Sequence, residues 1–205
     1  MTRLAAPILL CIILAASLAQ AGSPDMELVA KKIGIMEKIL DATLIDSRHA
    51  LVMRGDNTEG TYLEGLGAFF TLEFTFVEED DTKKLLGYLN DLDSLKAFWG
   101  ELVGEKDREK VEKLYDHRRR QLDKIEEELV VTLVDYGSSL SFLEAEETIV
   151  LAAFPYSWDV EWNVAPVPLR HLTIRVGMKD LREADAGRID DEELRRRVKV
   201  IETAR

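Results

Sequence analysis

Cysteine is almost absent from this sequence: its 205 residues contain one, Cys11. Exported domains with small cores often rely on disulfides, and structural zinc sites take their ligands from close pairs of cysteine or histidine. The histidines, His49, His117 and His171, are scattered and lack such spacing. We therefore expect no metal site and no cofactor, and a fold that packing alone holds together.

Positive charge is also scarce. Lys and Arg total 27 against 39 Asp and Glu, which gives a formal net charge of −12. An acidic chain repels the phosphates of nucleic acids and of anionic membrane surfaces. The composition therefore argues against nucleic acid as a partner, and against an anionic membrane surface.

Long apolar runs are missing after residue 21. The one such run, 4–18, follows a basic residue and ends before Ala19-Gln20-Ala21, which is the pattern of a secretory signal peptide with its cleavage site. A membrane anchor is the alternative, but it needs about 20 apolar residues, and Pro7 and Gln20 leave this run shorter. We expect cleavage near Ala21-Gly22, a periplasmic or secreted protein, and no stable membrane insertion afterwards.

Cleavage would leave 22–205, which is long enough for a single domain with its own hydrophobic core. This segment lacks the G-x-S-x-G and S-x-x-K arrangements of serine nucleophiles. The acidic break at 78–81 has neither the spacing nor the glycine of a calcium-binding loop. No catalytic residue is predicted, and the pattern favours a non-enzymatic protein.

Helical periodicity marks long segments of the chain. Ser23-Pro24-Asp25 is typical of a helix start, with Ser23 as the N-cap, and apolar residues then recur at three- and four-residue spacing. We expect helices at 25–46, 82–102 and 106–136, and from Asp190 or Asp191 through Ile201.

Strand periodicity is clearest in 67–77, where one face consists of Ala68, Phe70, Leu72, Phe74 and Phe76. That face is predicted to lie in the core. We expect strands near 48–54, 67–77, 147–154 and 169–177. The fold class that follows is α+β, with a small, largely antiparallel sheet packed against long amphipathic helices.

A glycine-spaced segment, 60–67, precedes the clearest strand. Phosphate-binding loops have similar glycines, but they open a helix rather than a strand. Glycines before a strand more often allow a bulge or a close backbone approach. Tyr62, Gly65 and Gly67 are nevertheless retained as candidate binding residues, because the segment would serve a small-ligand binder or a loop-built enzyme site.

Two tryptophans form the other candidate binding feature. In 158–164, Trp158 and Trp162 alternate with polar residues and share one side of an extended, proline-flanked segment. Burial on the sheet is the favoured interpretation. If the segment projects instead, the pair is the kind of aromatic anchor that protein interfaces favour.

A basic cluster stands out in the acidic chain. Arg118, Arg119 and Arg120 follow His117 within the long central helix. Neighbouring acids are expected to pair with these arginines, and docking of a partner is the alternative.

The runs 60–74, 136–140 and 182–198 resemble a group of uncharacterised exported bacterial proteins. Those proteins share a G-x-Y-x-x-G-x-G-x-x-F segment that leads into a strand, a long central helix and a C-terminal helix. The resemblance implies a bacterial envelope or secreted location. It implies no activity and no catalytic residues.

Together these observations predict an exported, non-enzymatic protein that acts through contact with another envelope or secreted component, with itself as a further candidate partner. The alternatives are a hydrolase-type enzyme with a site built from loops, around Tyr62 and 136–142, and a small-ligand binder.

Overall fold

The structure is a computed structural model that describes residues 25–52, 55–77, 105–155 and 169–204. These residues contain four helices and six strands. The helices are α1 (Met26–Asp46), α2 (Glu105–Tyr136), α3 (Met178–Asp185) and α4 (Asp191–Arg197). The strands are β1 (Ala50–Leu51), β2 (Glu59–Leu63), β3 (Gly67–Phe76), β4 (Thr148–Pro155), β5 (Leu169–Gly177) and β6 (Lys199–Ala204). The signal peptide expected at 1–21, the helix expected at 82–102 and the tryptophan segment 158–164 lie outside the described residues.

The strands form a mixed, mostly antiparallel, curled sheet in the order β1–β3–β4–β5–β6. β2 also pairs with β3, on the same edge as β1 but nearer the start of the strand. β3 and β4 are the parallel pair, and parallel neighbours need a crossover connection, which contains α2. The predicted α+β class with a largely antiparallel sheet is confirmed.

The sheet buries one face, and α1 and α2 pack against it. The face of β3 predicted to be core is buried along its whole length, and so are the alternating residues of β4 and β5 that lie beside it. α1 contributes an apolar stripe of Val29, Ile33, Met36, Leu40 and Leu44. The two long helices also touch through polar atoms, since the hydroxyl oxygens of Thr43 and Thr132 lie 2.9 Å apart.

We call the opposite surface of the sheet the outer face. Its side chains alternate with the buried ones, because successive residues of a strand point to opposite sides. They form three cross-strand rows from β2 or β3 to β6. The first row is Thr61, Phe69, Val150, Arg175 and Lys199; the second is Glu59, Thr71, Ala152, Thr173 and Ile201; the third is Glu73, Phe154, His171 and Thr203.

Two predicted helix ends need correction: the start of α1 and the end of the C-terminal helix. The N-cap of α1 is Asp25, not Ser23: its carboxylate accepts a hydrogen bond from the Glu27 N–H at 3.0 Å. The C-terminal helix does not continue through Ile201 but ends at Arg197. The β-branched run that follows pairs with β5 as an edge strand, which a local helical pattern does not reveal.

The edge of the sheet at β1 and β2 also differs from the prediction. Within the described part of the strand expected at 48–54, only Ala50–Leu51 is a strand, and the first residues of the glycine-spaced segment belong to β2. Between Leu51 and Glu59 the chain has more residues than β3 has opposite them, and 55–58 do not pair with β3. We call 55–58 the edge loop. Gly60 follows it, where a Cβ atom would come within 2.7 Å of the Ile33 side chain on α1.

Asp41 holds the edge loop in place from α1. Its carboxylate is 4% exposed and accepts hydrogen bonds from the Thr58 N–H at 2.9 Å, the Thr58 hydroxyl at 2.7 Å and the Asn57 N–H at 3.2 Å. One helix turn earlier, Glu37 accepts the Gly60 N–H at 2.7 Å. Two acids of α1 therefore accept N–H groups of the edge loop and of the start of β2 that do not pair with β3.

We expect Asp41→Ala to lower the free energy of unfolding by about 2–3 kcal/mol, because it leaves buried donors of Thr58 without an acceptor. The matched control is Asp46→Ala at the exposed end of α1, which should change the free energy by less than about 0.5 kcal/mol. Urea denaturation of both variants measures the difference. Equal midpoints would show that the carboxylate does not hold the loop.

Candidate functional site

Three of the five predicted site residues come together at the turn between β2 and β3. Tyr62 lies near the end of β2, Gly65 lies in the turn and Gly67 begins β3. The other two, Trp158 and Trp162, lie outside the described residues. The glycine-rich turn is therefore the part of the predicted site that the structure describes.

The turn is organised around Glu147, a residue that the sequence pattern presented as the ordinary start of a strand. Glu147 is buried, with 3% of its surface exposed. One carboxylate oxygen, Oε1, accepts the Tyr62 hydroxyl at 3.0 Å and the Gly65 N–H at 2.9 Å, and Oε2 accepts the Glu144 N–H at 2.7 Å. An acid at the start of an otherwise apolar strand was the available signal, since a buried carboxylate requires donors.

The same short segment is fixed by backbone bonds to α3. The Met178 N–H donates to the Glu147 carbonyl at 3.0 Å, and the Lys179 N–H donates to the Ala145 carbonyl at 3.1 Å. The Arg182 guanidinium donates to the Leu143 carbonyl at 2.5 Å. The loop between α2 and β4 is thus held from the hairpin on one side and from α3 on the other.

Gly67 and Gly65 have different structural reasons to be glycine. Gly67 has a φ of 129°, and a Cβ atom there would lie 1.8 Å from the Thr148 carbonyl oxygen. Gly65 has a φ of 77° with no neighbouring atom in the way of a Cβ, so only the turn conformation favours glycine there. The close backbone approach expected for glycines before a strand is present at Gly67.

Tyr62 is a hydrogen-bond donor with a stable proton. Its ring packs edge-on against Phe142, with the centroids 5.2 Å apart. Burial raises the pKa of Tyr62 from 10.0 to about 12, and the hydrogen bond to Glu147 adds to this shift. A general base or nucleophile near neutral pH needs the opposite shift. This arrangement suits anchoring of the turn.

Two arginines of the basic cluster of α2 contact other parts of the fold. The Arg118 guanidinium lies 4.9 Å from the centre of the Phe76 ring, at the end of β3. Arg119 forms a two-pronged pair with Glu202 of β6, with one N–O distance of 2.7 Å, and also contacts Asp123 at 3.1 Å. The expected pairing with acids is present at Arg119, and these contacts join α2 to β3 and to the edge strand β6.

Metal binding and membrane insertion have no candidate residues in the described ranges. No group of three or more His, Asp, Glu or Cys side chains there could hold a metal ion. Among the same residues, no helix has the length and apolar character needed to cross a membrane.

Comparison with known proteins adds no assignment: no family model, no curated protein and no solved structure matches the chain. The resemblance noted from the 60–74, 136–140 and 182–198 runs therefore stays a prediction.

We expect Gly67→Ala to destabilise the fold by more than about 3 kcal/mol, because backbone strain and overlap with Thr148 add together. Gly55→Ala is the matched control, since a Cβ atom at Gly55 meets nothing within 4 Å. Thermal and urea unfolding of the two variants give the comparison. A Gly67→Ala protein as stable as the control would contradict the close approach of β3 to β4.

We expect one of the five tyrosines to ionise near pH 12 and to return toward pH 10 in Glu147→Gln. Because the folded-state pKa is raised, the stability linked to this proton is fully present below pH 10 and is lost as the pH rises through about 12. Phenolate absorbance during alkaline titration measures it, and Tyr62→Phe identifies the residue. If Tyr62→Phe removes a tyrosine that ionises near pH 10, the proposed environment is wrong.

Proposed function

We propose that this chain is an exported, non-enzymatic protein that acts by contact with another component of the cell envelope or with a secreted protein. The N-terminal pattern of a signal peptide and its cleavage site supports export. The missing catalytic motifs support a role in binding rather than in chemistry.

The observation that carries the proposal is the contrast between two surfaces. At the glycine-rich turn, the Glu147 carboxylate is hydrogen-bonded to the Tyr62 hydroxyl and to the Gly65 N–H. On the outer face, by contrast, Phe154 is 37% exposed and Ile201 is 55% exposed. Exposed apolar side chains that belong to one continuous surface are typical of protein interaction sites.

A hydrolase or a small-ligand binder at the turn receives less support. Tyr62 has its pKa raised, and the carboxylate of Glu147 already accepts three hydrogen bonds. A ligand would have to displace these internal bonds, which costs the full desolvation of each group.

Capture from the native envelope tests the proposal. The tagged protein is crosslinked in its own cells, purified from the exported fraction, and checked by mass for a start at Gly22. We expect a reproducible, stoichiometric partner whose recovery falls at least about tenfold with Phe154→Lys/Ile201→Lys, which is about 1.4 kcal/mol of binding free energy.

The matched control is Ile35→Lys/Ile45→Lys, which places the same charges on exposed positions of α1. This control should retain the partner. Trp158→Ala/Trp162→Ala is tested in parallel, because the tryptophan segment is the other predicted contact. Recovery of the protein with no partner, or equal loss in the control, would argue against the proposed function.

A further inference from the structure

The outer face carries charges of opposite sign at its two sides. Glu59 on β2 and Glu73 on β3 lie on one side, and Arg175 on β5 and Lys199 on β6 lie on the other. All four are exposed. None of them forms an ion pair with another described residue through its side chain.

Geometry explains why these charges do not pair within one chain. β2 and β6 are four strand positions apart, which is about 19 Å at the usual spacing of 4.8 Å. That distance exceeds the reach of a Lys–Glu pair. Between the two sides lie the apolar and small side chains of Phe69, Val150 and Ala152, with Phe154 beyond them.

We propose that the outer face is a self-complementary interface, and that its partner is a second copy of this chain. The proposal rests on the proposed function in one respect, because it takes the outer face as a contact surface. It adds the identity of the partner and the arrangement of the two copies.

The symmetry follows from the order of the strands. β4 is the middle strand of the five that form the outer face. A two-fold axis along β4, between two sheets packed face to face, brings β3 of one copy over β5 of its partner and β2 over β6. A two-fold axis across the strands would instead bring acid over acid, so the charges select the first arrangement.

The rows then match chemically. Glu73 and His171 share a row, so the axis along β4 places Glu73 of one copy at the level of His171 of the other. Phe69 and Arg175 share the first row, so the Arg175 guanidinium of one copy can stack on the Phe69 ring of the other. At the axis itself lie Val150, Ala152 and Phe154 of β4, so that each copy contributes the same apolar or small side chains to the centre of the contact.

The size of the face sets the strength of this contact. Five strands at 4.8 Å spacing and about 20–30 Å in length give roughly 500 Å² in projection. Stable dimers bury about 800 Å² of accessible surface on each partner. The interface is therefore at the small end of the range, and the dimer should dissociate on dilution.

Charge exchange tests the proposal. Sedimentation velocity of the purified exported protein, over about a hundredfold range of concentration, should show a monomer–dimer equilibrium. Arg175→Glu/Lys199→Glu makes the outer face wholly acidic, and Glu59→Lys/Glu73→Lys makes it wholly basic. Each variant alone should dimerise at least about tenfold more weakly, because the side formed by β2 and β3 in one copy then has the same sign of charge as the side formed by β5 and β6 that lies over it.

An equimolar mixture of the two variants should regain or exceed the parent affinity, since each supplies the charges that the other needs. Arg195→Glu/Arg196→Glu is the control, because it makes the same charge change on exposed positions of α4. It should dimerise like the parent. Circular dichroism verifies that every variant is folded.

Three results would overturn the proposal: a monomer at every concentration, as expected if other residues of the chain cover the face; dimers that persist in both variants; or a mixture that fails to associate. These results differ from failure of the proposed function. A monomer that still captures an envelope partner through the outer face would leave that function standing and refute the self-interface alone.

Discussion

The carboxylate of Glu147 is the interaction on which one whole end of the molecule depends. The carboxylate accepts hydrogen bonds from the β2–β3 hairpin and from the loop that follows α2. The backbone carbonyl of Glu147 accepts the N–H of Met178, the first residue of α3. These contacts place the start of β4 beside the start of β3, where Gly67 leaves no room for a side chain. A buried carboxylate without donors is costly, so the three segments stabilise one another through this group.

Asp41 plays the corresponding part at the edge of the sheet. Both acids accept backbone N–H groups from irregular chain, where no neighbouring strand is available. Such bonds to an ionised acceptor are stronger than neutral ones. The single cysteine of the chain lies in the expected signal peptide. These two carboxylates link segments that are distant in sequence, as disulfides do in many exported domains.

Sequence patterns predicted much of the fold because its main elements are strongly periodic. The stripe of α1, the length of α2 and the alternation of β3 identify their elements unaided. β2 and β6 were missed for a physical reason: Gly60 weakens the strand signal, and the run after Arg197 is too short to distinguish a helix end from an edge strand. β2 pairs with the strand that follows it in the chain, whereas β6 pairs with β5 across the two intervening helices, α3 and α4.

The candidate site was less predictable than the fold. Glycine spacing located the turn, but the role of Glu147 follows from contacts across more than 80 residues, such as the Tyr62 bond with a separation of 85. The position of Glu147 at the start of an apolar strand indicates burial, but no local pattern identifies the donors that it binds. The outer face was likewise hidden, because strand order determines which charges share a surface.

The parallel pairing of β3 with β4 has a consequence for how the chain reaches its native state. The bond from Thr148 to Leu66 joins residues 82 positions apart, so closing it carries the entropy cost of a long loop. Because β3 precedes β4 along the chain, β3 is synthesised before the strand that covers one of its edges. During that interval the open edge of β3 can pair with any other extended chain. The stage before β4 pairs with β3 is therefore the one at which this chain is most prone to misassociation.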